Sequence, residues 1–248
     1  MINIQRGEQP KSLQEAEIKR YLDDLATFKA LPIAQQTKEN RPSCPDYRQA
    51  DLFEAFDRDF FAKCYLTEQK FANSWSMDVE HFRAKNFSQN PELRYEWTNL
   101  YPAAHDANMM KPRLEPEGGY LDPCSKTDDV EKDIIYTLGF GGEAYFKAKN
   151  DSNQKSVNTA LLLERIHNGF DEKSIQKTAE LRRLIDHKQR EVLDTILKWQ
   201  NAKLKKDAQT EFEAEMELKN LLSRKSFFTM LIRSLYAVRQ YVPQEFLD

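Results

Sequence analysis

Residues 77 to 111 constrain this chain more than any other stretch. They begin Met77-Asp78-Val79-Glu80-His81-Phe82-Arg83, continue through Tyr95-Glu96-Trp97-Thr98-Asn99-Leu100, and close on His105-Asp106-Ala107-Asn108-Met109-Met110-Lys111. The first part reads as a short strand that delivers an acid and a histidine at its end. One asparagine follows beside aromatic and aliphatic residues, and a second lies three residues before a lysine. Taken singly, Asn99 reads as a turn residue and Asn108 as a helix N-cap. Taken in order with Glu80 and His81, they make chemical sense. Phosphodiester hydrolysis needs a base to take a proton from water and a cation to stabilise charge on the phosphate and the leaving oxygen. Neutral His81 supplies the base. The Glu80 carboxylate and the Asn108 amide oxygen are hard ligands suited to Mg²⁺ or Mn²⁺. With only four histidines in 248 residues, the ordered set is a candidate metal-assisted hydrolytic centre, with chance placement of common turn and cap asparagines as its alternative.

This order and spacing resembles the HNH, or ββα-metal, nuclease centre. Together with the Met1–Leu13 opening, the segment is similar to the HNH nuclease subunit of Septu-type anti-phage systems, the PtuB family, and its retron-associated relatives. Gly119-Tyr120-Leu121-Asp122-Pro123 and the following Asp128-Asp129-Val130-Glu131 also resemble a segment which that family carries after its nuclease motif. The resemblance implies that Glu80 and Asn108 hold one divalent ion and that His81 activates the attacking water. Asn99 would orient the His81 loop or ring, and His105 or Asp106 would add to the metal shell. It further implies DNA as substrate, an anti-phage role, and a PtuA-like ATPase as partner. No Walker-type loop is found in this sequence, so ATP chemistry would belong to that partner.

The family pattern also exposes a departure. Relatives frame the centre with two Cys-x-x-Cys pairs that hold a structural zinc. Here the first pair reads Cys64-Tyr65-Leu66-Thr67, and the second is replaced by Ala104 and Ala107. A tetrahedral zinc site needs four Cys or His ligands, and neither His105 nor Cys124 has the required spacing, so no structural zinc is expected. Tyr65, Phe71, Trp75, Phe82, Phe87, Tyr95 and Trp97 are then expected to hold the local scaffold by packing.

Composition bounds the rest. The chain is 40% hydrophobic and 31% charged, an ordinary globular balance. Three widely spaced cysteines make no disulfide framework, and no apolar run has signal-peptide or membrane-span length, so a cytoplasmic protein off the membrane is expected. A net charge of −3 does not exclude nucleic acid, because phosphate is met by a local basic surface. Arg83, Lys85, Arg94, Lys111 and Arg113 cluster around the centre, with Arg83, Lys85 and Lys111 the expected phosphate contacts.

The expected fold is mainly α with a small β part: an N-terminal helical segment (1–62), a ββα-metal module (63–150) and a C-terminal helical region (151–248). Ser12 and Glu15 form a capping box for a helix to about Lys29, and a second helix spans about Gln49–Ala62. Two strands lie between Cys64 and Phe82, with Asn108 at the start of a short helix that Pro112 ends. Gly139-Phe140-Gly141-Gly142 turns a hairpin. Helices follow over about 156–166, 172–200 and 208–241, the last two pairing through Ile185, Val192, Ile196 and Trp199 against Phe212, Met216, Leu221, Phe228, Ile232 and Leu235. The apolar Phe227–Ile232 run suggests docking on a partner, the ATPase or a second copy. Two other readings fit the same residues: an HNH fold that binds nucleic acid or a partner without catalysis, and a helical interaction subunit.

Overall fold

The computed structural model describes residues 1–83 and 90–248. Lys85 and Phe87 lie outside them. The chain is mainly helical, with two two-stranded antiparallel sheets among the described residues. No described helix is long and apolar enough to cross a membrane.

Helices α1 (Ala16–Ala30) and α2 (Ala50–Phe60) open the chain. In α1 the positions at helical spacing, Ile18, Tyr21 and Leu25, are buried. The expected capping box does not form. Glu15 occupies the N-cap, and Ser12 sits in a 3₁₀ turn, where its N–H and hydroxyl donate to the Asp51 carboxylate at 2.9 and 2.6 Å. The charged acceptor outcompetes the local cap and ties the start of α1 to the first turn of α2. Leu52, Phe53, Phe56 and Phe60 bury one face of α2. The helix ends where Phe61 and Ala62 both turn left-handed, at φ of 58° and 55°.

Strand β1 (Asp78–His81) pairs antiparallel with β2 (Leu100–Ala103), setting Glu80 opposite Tyr101 and His81 opposite Leu100, and α3 (His105–Met110) follows directly. A ββα unit is therefore present, but its strands differ from expectation. Between Cys64 and Met77 only a single bridge forms, Lys63 to Lys70, in a segment where Glu68 is left-handed. The partner of β1 comes instead from Leu100-Tyr101-Pro102-Ala103. All four residues are buried, so the strand carries no alternation to read. Asn108 lies within α3 rather than at its start.

Helix α4 (Val130–Asp133) leads into the hairpin β3 (Ile134–Leu138) and β4 (Ala144–Ala148), which turns at Gly139–Gly142 as expected. Gly142 has φ +77°, and a Cβ there would lie 2.1 Å from the Arg182 carbonyl, so glycine alone permits this close approach. The remaining helices are α5 (Gln154–Asn168), α6 (Glu172–Lys177), α7 (Ala179–Lys205), α8 (Ala208–Leu222), α9 (Thr229–Arg233) and α10 (Tyr236–Tyr241). The single helix expected over 208–241 is broken at Ser223–Phe228 and again at Ser234–Leu235. The first break has a long-range cause. The buried Lys63 ammonium takes the carbonyls of Arg224 and Ser226 at 2.6 and 2.9 Å, acceptors a continuing helix would have used itself.

The break also disposes of the apolar run at Phe227–Ile232. Phe228, Leu231, Ile232 and Leu235 are buried within this chain, leaving Tyr236 exposed. Phe227 and Met230 of that run are only partly buried. On α8, Phe212 and Met216 of the expected stripe face outward, whereas Leu221 of that stripe is buried together with Ala214, Leu218 and Leu222.

Candidate active site

Alternate residues of a strand share a face, and residues three apart on a helix share a face. Asp78 and Glu80 on β1 therefore meet His105 and Asn108 on α3 and Lys111 just beyond it. Asn108 Nδ2 donates to Asp78 Oδ2 at 2.9 Å, and His105 Nδ1 reaches the same oxygen at 2.9 Å. Lys111 Nζ donates to Glu80 Oε1 at 2.7 Å and to the carbonyl of Phe82 at 2.8 Å. The other Glu80 oxygen accepts from the Tyr65 hydroxyl at 2.9 Å. Burial, with Glu80 beside it, pushes the Tyr65 pKa well up, so this hydroxyl stays a donor.

His81 ends β1 with Nε2 3.2 Å from the Arg94 carbonyl. A carbonyl only accepts, so Nε2 donates this hydrogen bond. The Tyr47 ring meets the imidazole edge to face at 5.4 Å. Asn99 is fully buried and holds the loops around this ring. Its Oδ1 accepts from Arg83 N–H at 2.7 Å, and its Nδ2 donates to the carbonyls of Arg83 and Leu93 at 3.1 and 2.9 Å. One side chain thus pins both the chain leaving His81 and the 3₁₀ turn Pro91–Arg94, which supplies the carbonyl on Nε2.

Glu80, His81, Asn108 and Lys111 line one cleft of about 420 Å³, with Arg113 and Tyr120 on its wall. Past Phe82, Glu115 and Tyr120 it continues into a second depression that carries Arg83 and Lys155. The donor set suits a hard divalent ion. Glu80 uses two of its roughly four acceptor positions on Tyr65 and Lys111. Asn108 turns its NH₂ to Asp78, which leaves Oδ1 toward the cleft. Two protein oxygens plus water and phosphate are a usual shell for Mg²⁺. No group of three or more His, Cys, Asp or Glu capable of holding a metal is found among the described residues, so such a site rests on Glu80 and an amide.

Other expected residues lie elsewhere. Asp106 is 3.8 Å from Lys177, and the exposed His105 is engaged by Asp78, so neither joins the cleft. Lys111 turns inward, with its side chain only 8% exposed, instead of presenting a surface cation. Arg83 pairs with Glu96 at 2.9 Å and is half exposed. The Arg94 guanidinium packs on the Tyr47 ring.

The positions at which the resembling family carries zinc cysteines are here Cys64, Thr67, Ala104 and Ala107. Thr67, Ala104 and Ala107 line one small cavity of about 200 Å³, and the Thr67 N–H still points at Cys64 Sγ at 3.5 Å. The alanines offer no ligand atoms, so these residues do not fit zinc. The loop is held instead by Lys63 on the C-terminal carbonyls and by buried Glu68, which is 3.7 Å from Lys63 and 2.9 Å from the Met1 ammonium.

Asp78, Tyr65 and the Arg94 carbonyl escaped the sequence reading. Asp78 carried a signal, its two-residue spacing from Glu80 on one strand face. The other two are long-range contacts with none. Comparison of the chain with family models, curated proteins and solved structures returns no match.

Proposed function

We propose that this chain is a metal-dependent endonuclease of HNH type that hydrolyses DNA phosphodiester bonds. The observation that supports it most is the convergence of His81, Glu80 and Asn108 on one cleft, with the imidazole held by the Arg94 carbonyl. His81 takes the proton of the attacking water, and the Nε2 hydrogen bond steadies the imidazolium that forms. Asn99 keeps the two loops around that histidine in register. Glu80 and Asn108 would hold a Mg²⁺ or Mn²⁺ ion, which when bound would supply positive charge for the phosphate and the leaving oxygen. Arg83 and the exposed Arg113 reach flanking phosphates. The resemblance extends this reading to a nuclease subunit of an anti-phage complex controlled by a PtuA-like ATPase.

The test is cleavage of plasmid DNA with Mn²⁺ by wild type and His81→Ala. Loss of the base is expected to lower the rate by about 10²–10⁴ with the far-UV circular dichroism spectrum unchanged. Wild-type-like cleavage by the variant overturns the assignment. The Lys111 ammonium on Glu80 favours one second reading, a DNA-binding subunit without catalysis. Salt-dependent DNA binding by a wild type that cleaves nothing would select it.

A further inference from the structure

Asp78 and Glu80 lie two residues apart on one strand face, yet their surroundings assign them different work. Glu80 lines the cleft and is already engaged by Tyr65 and Lys111. Asp78 stands behind the cleft, outside its lining, and its Oδ2 is shared by Asn108 Nδ2 and His105 Nδ1. The two ends of an amide are nearly equal in size, so packing alone does not decide which end of Asn108 faces outward. A carboxylate decides it, because it only accepts, and the NH₂ must turn toward it.

We propose that Asp78 is the positioning residue of the site: it locks the Asn108 amide with Oδ1 toward the cleft, so that a divalent cation meets an oxygen and not an NH₂. The inference rests on the nuclease reading. His105 supports it by donating to the same Asp78 oxygen from the preceding turn of α3, which fixes the carboxylate against rotation. Lys111 supports it by occupying Glu80, which leaves Asp78 as the carboxylate that receives the Asn108 NH₂. Outer partners that orient a metal ligand are worth about 10–100-fold in metal affinity.

The experiment is direct Mn²⁺ titration of the purified full chain by electron paramagnetic resonance, read beside DNA cleavage. Asp78→Asn is nearly isosteric, and its amide can donate to Asn108 Oδ1 and turn the NH₂ outward. Mn²⁺ affinity is expected to fall about 10–100-fold, with thermal melting within a few degrees of wild type. The reciprocal double variant D78N/N108D restores one donor facing one carboxylate, and is expected to bind Mn²⁺ at least as tightly as wild type. A merely structural role for Asp78 would show no such rescue. Wild-type Mn²⁺ affinity in Asp78→Asn, or no recovery in a folded D78N/N108D, overturns the inference and leaves the nuclease reading standing. A wild type that binds no Mn²⁺ overturns both.

Discussion

Two corners of one ββα unit have fared differently in this chain. At the cleft, β1 and α3 bring together an acid, a histidine and an amide, each held by a hydrogen bond of defined direction. Elsewhere in the unit, at the positions where the resembling family places four cysteines, this chain has Cys64 and Thr67, joined by a Thr67 N–H to Sγ contact, and Ala104 and Ala107, which line a small cavity with Thr67. A scaffold function asks only that two segments stay together, and apolar packing plus a buried ion pair can do that as well as a metal. A catalytic function asks for particular atoms at particular distances, and nothing apolar can substitute for them.

The sharpest way to break this contrast is to damage each corner in turn. His81→Ala is expected to lose about 10²–10⁴ in cleavage rate while melting as wild type does. Glu68→Gln is expected to do the reverse. It leaves a buried cation uncompensated and lowers stability by about 3–5 kcal/mol, read by urea denaturation, while cleavage in the absence of urea is kept. If the first lowers the melting point or the second abolishes cleavage in folded protein, the division between the corners fails.

His167 bounds the frame behind both corners. Burial against Phe146 lowers its pKa to about 4, so the folded chain holds it neutral. The unfolded chain protonates it near 6.5, hence stability falls as pH drops from about 6.5 to 4 and this contribution levels off below. The loss is on the order of 3 kcal/mol, and His167→Phe should remove that part of the slope in melts taken across this range. An unchanged slope would show that the acid sensitivity arises elsewhere.

Asn99→Ala lies between the extremes, because on the proposed reading this side chain acts on the chemistry through the backbone it holds. Leaving the Arg83 N–H and the Leu93 carbonyl without partners is expected to cost about 2 kcal/mol of stability and to lower the turnover rate as well. An effect on melting alone would make Asn99 a purely structural residue. The smallest expected effect is that of chelation. EDTA should stop cleavage yet move the melting temperature by less than about 2 °C, whereas a structural zinc would make the melt collapse.

The sequence was legible where periodicity or a local breaker did the work. The α2 face of Leu52, Phe53, Phe56 and Phe60, the buried stripe of α7 and the hairpin at Gly139–Gly142 follow helical spacing or glycine geometry. The Glu80-His81 strand end was legible for the same reason. β2 was not, because a strand buried on both faces has no alternation. The break at Ser223–Phe228 was not, because Lys63, about 160 residues earlier, draws off the carbonyls. Within the site, residue types were legible and their partners were not. Lys111 read as a surface cation and proved to be an internal clasp.

Helix α3 spans six residues, too short to persist by itself in water. The carbonyl of its last residue, Met110, accepts from Arg165 of α5 at 2.8 Å, and the same guanidinium stacks on Phe170 at 3.4 Å. Asn108 therefore reaches Asp78 and the cleft from a helix that α5 supports. In hydrogen-exchange terms, α3 is expected to open together with α5, and every such opening dissolves the cleft without unfolding β1. The cleft is thus an event of the assembled chain, with a lifetime set by a helix that contributes no residue to its lining.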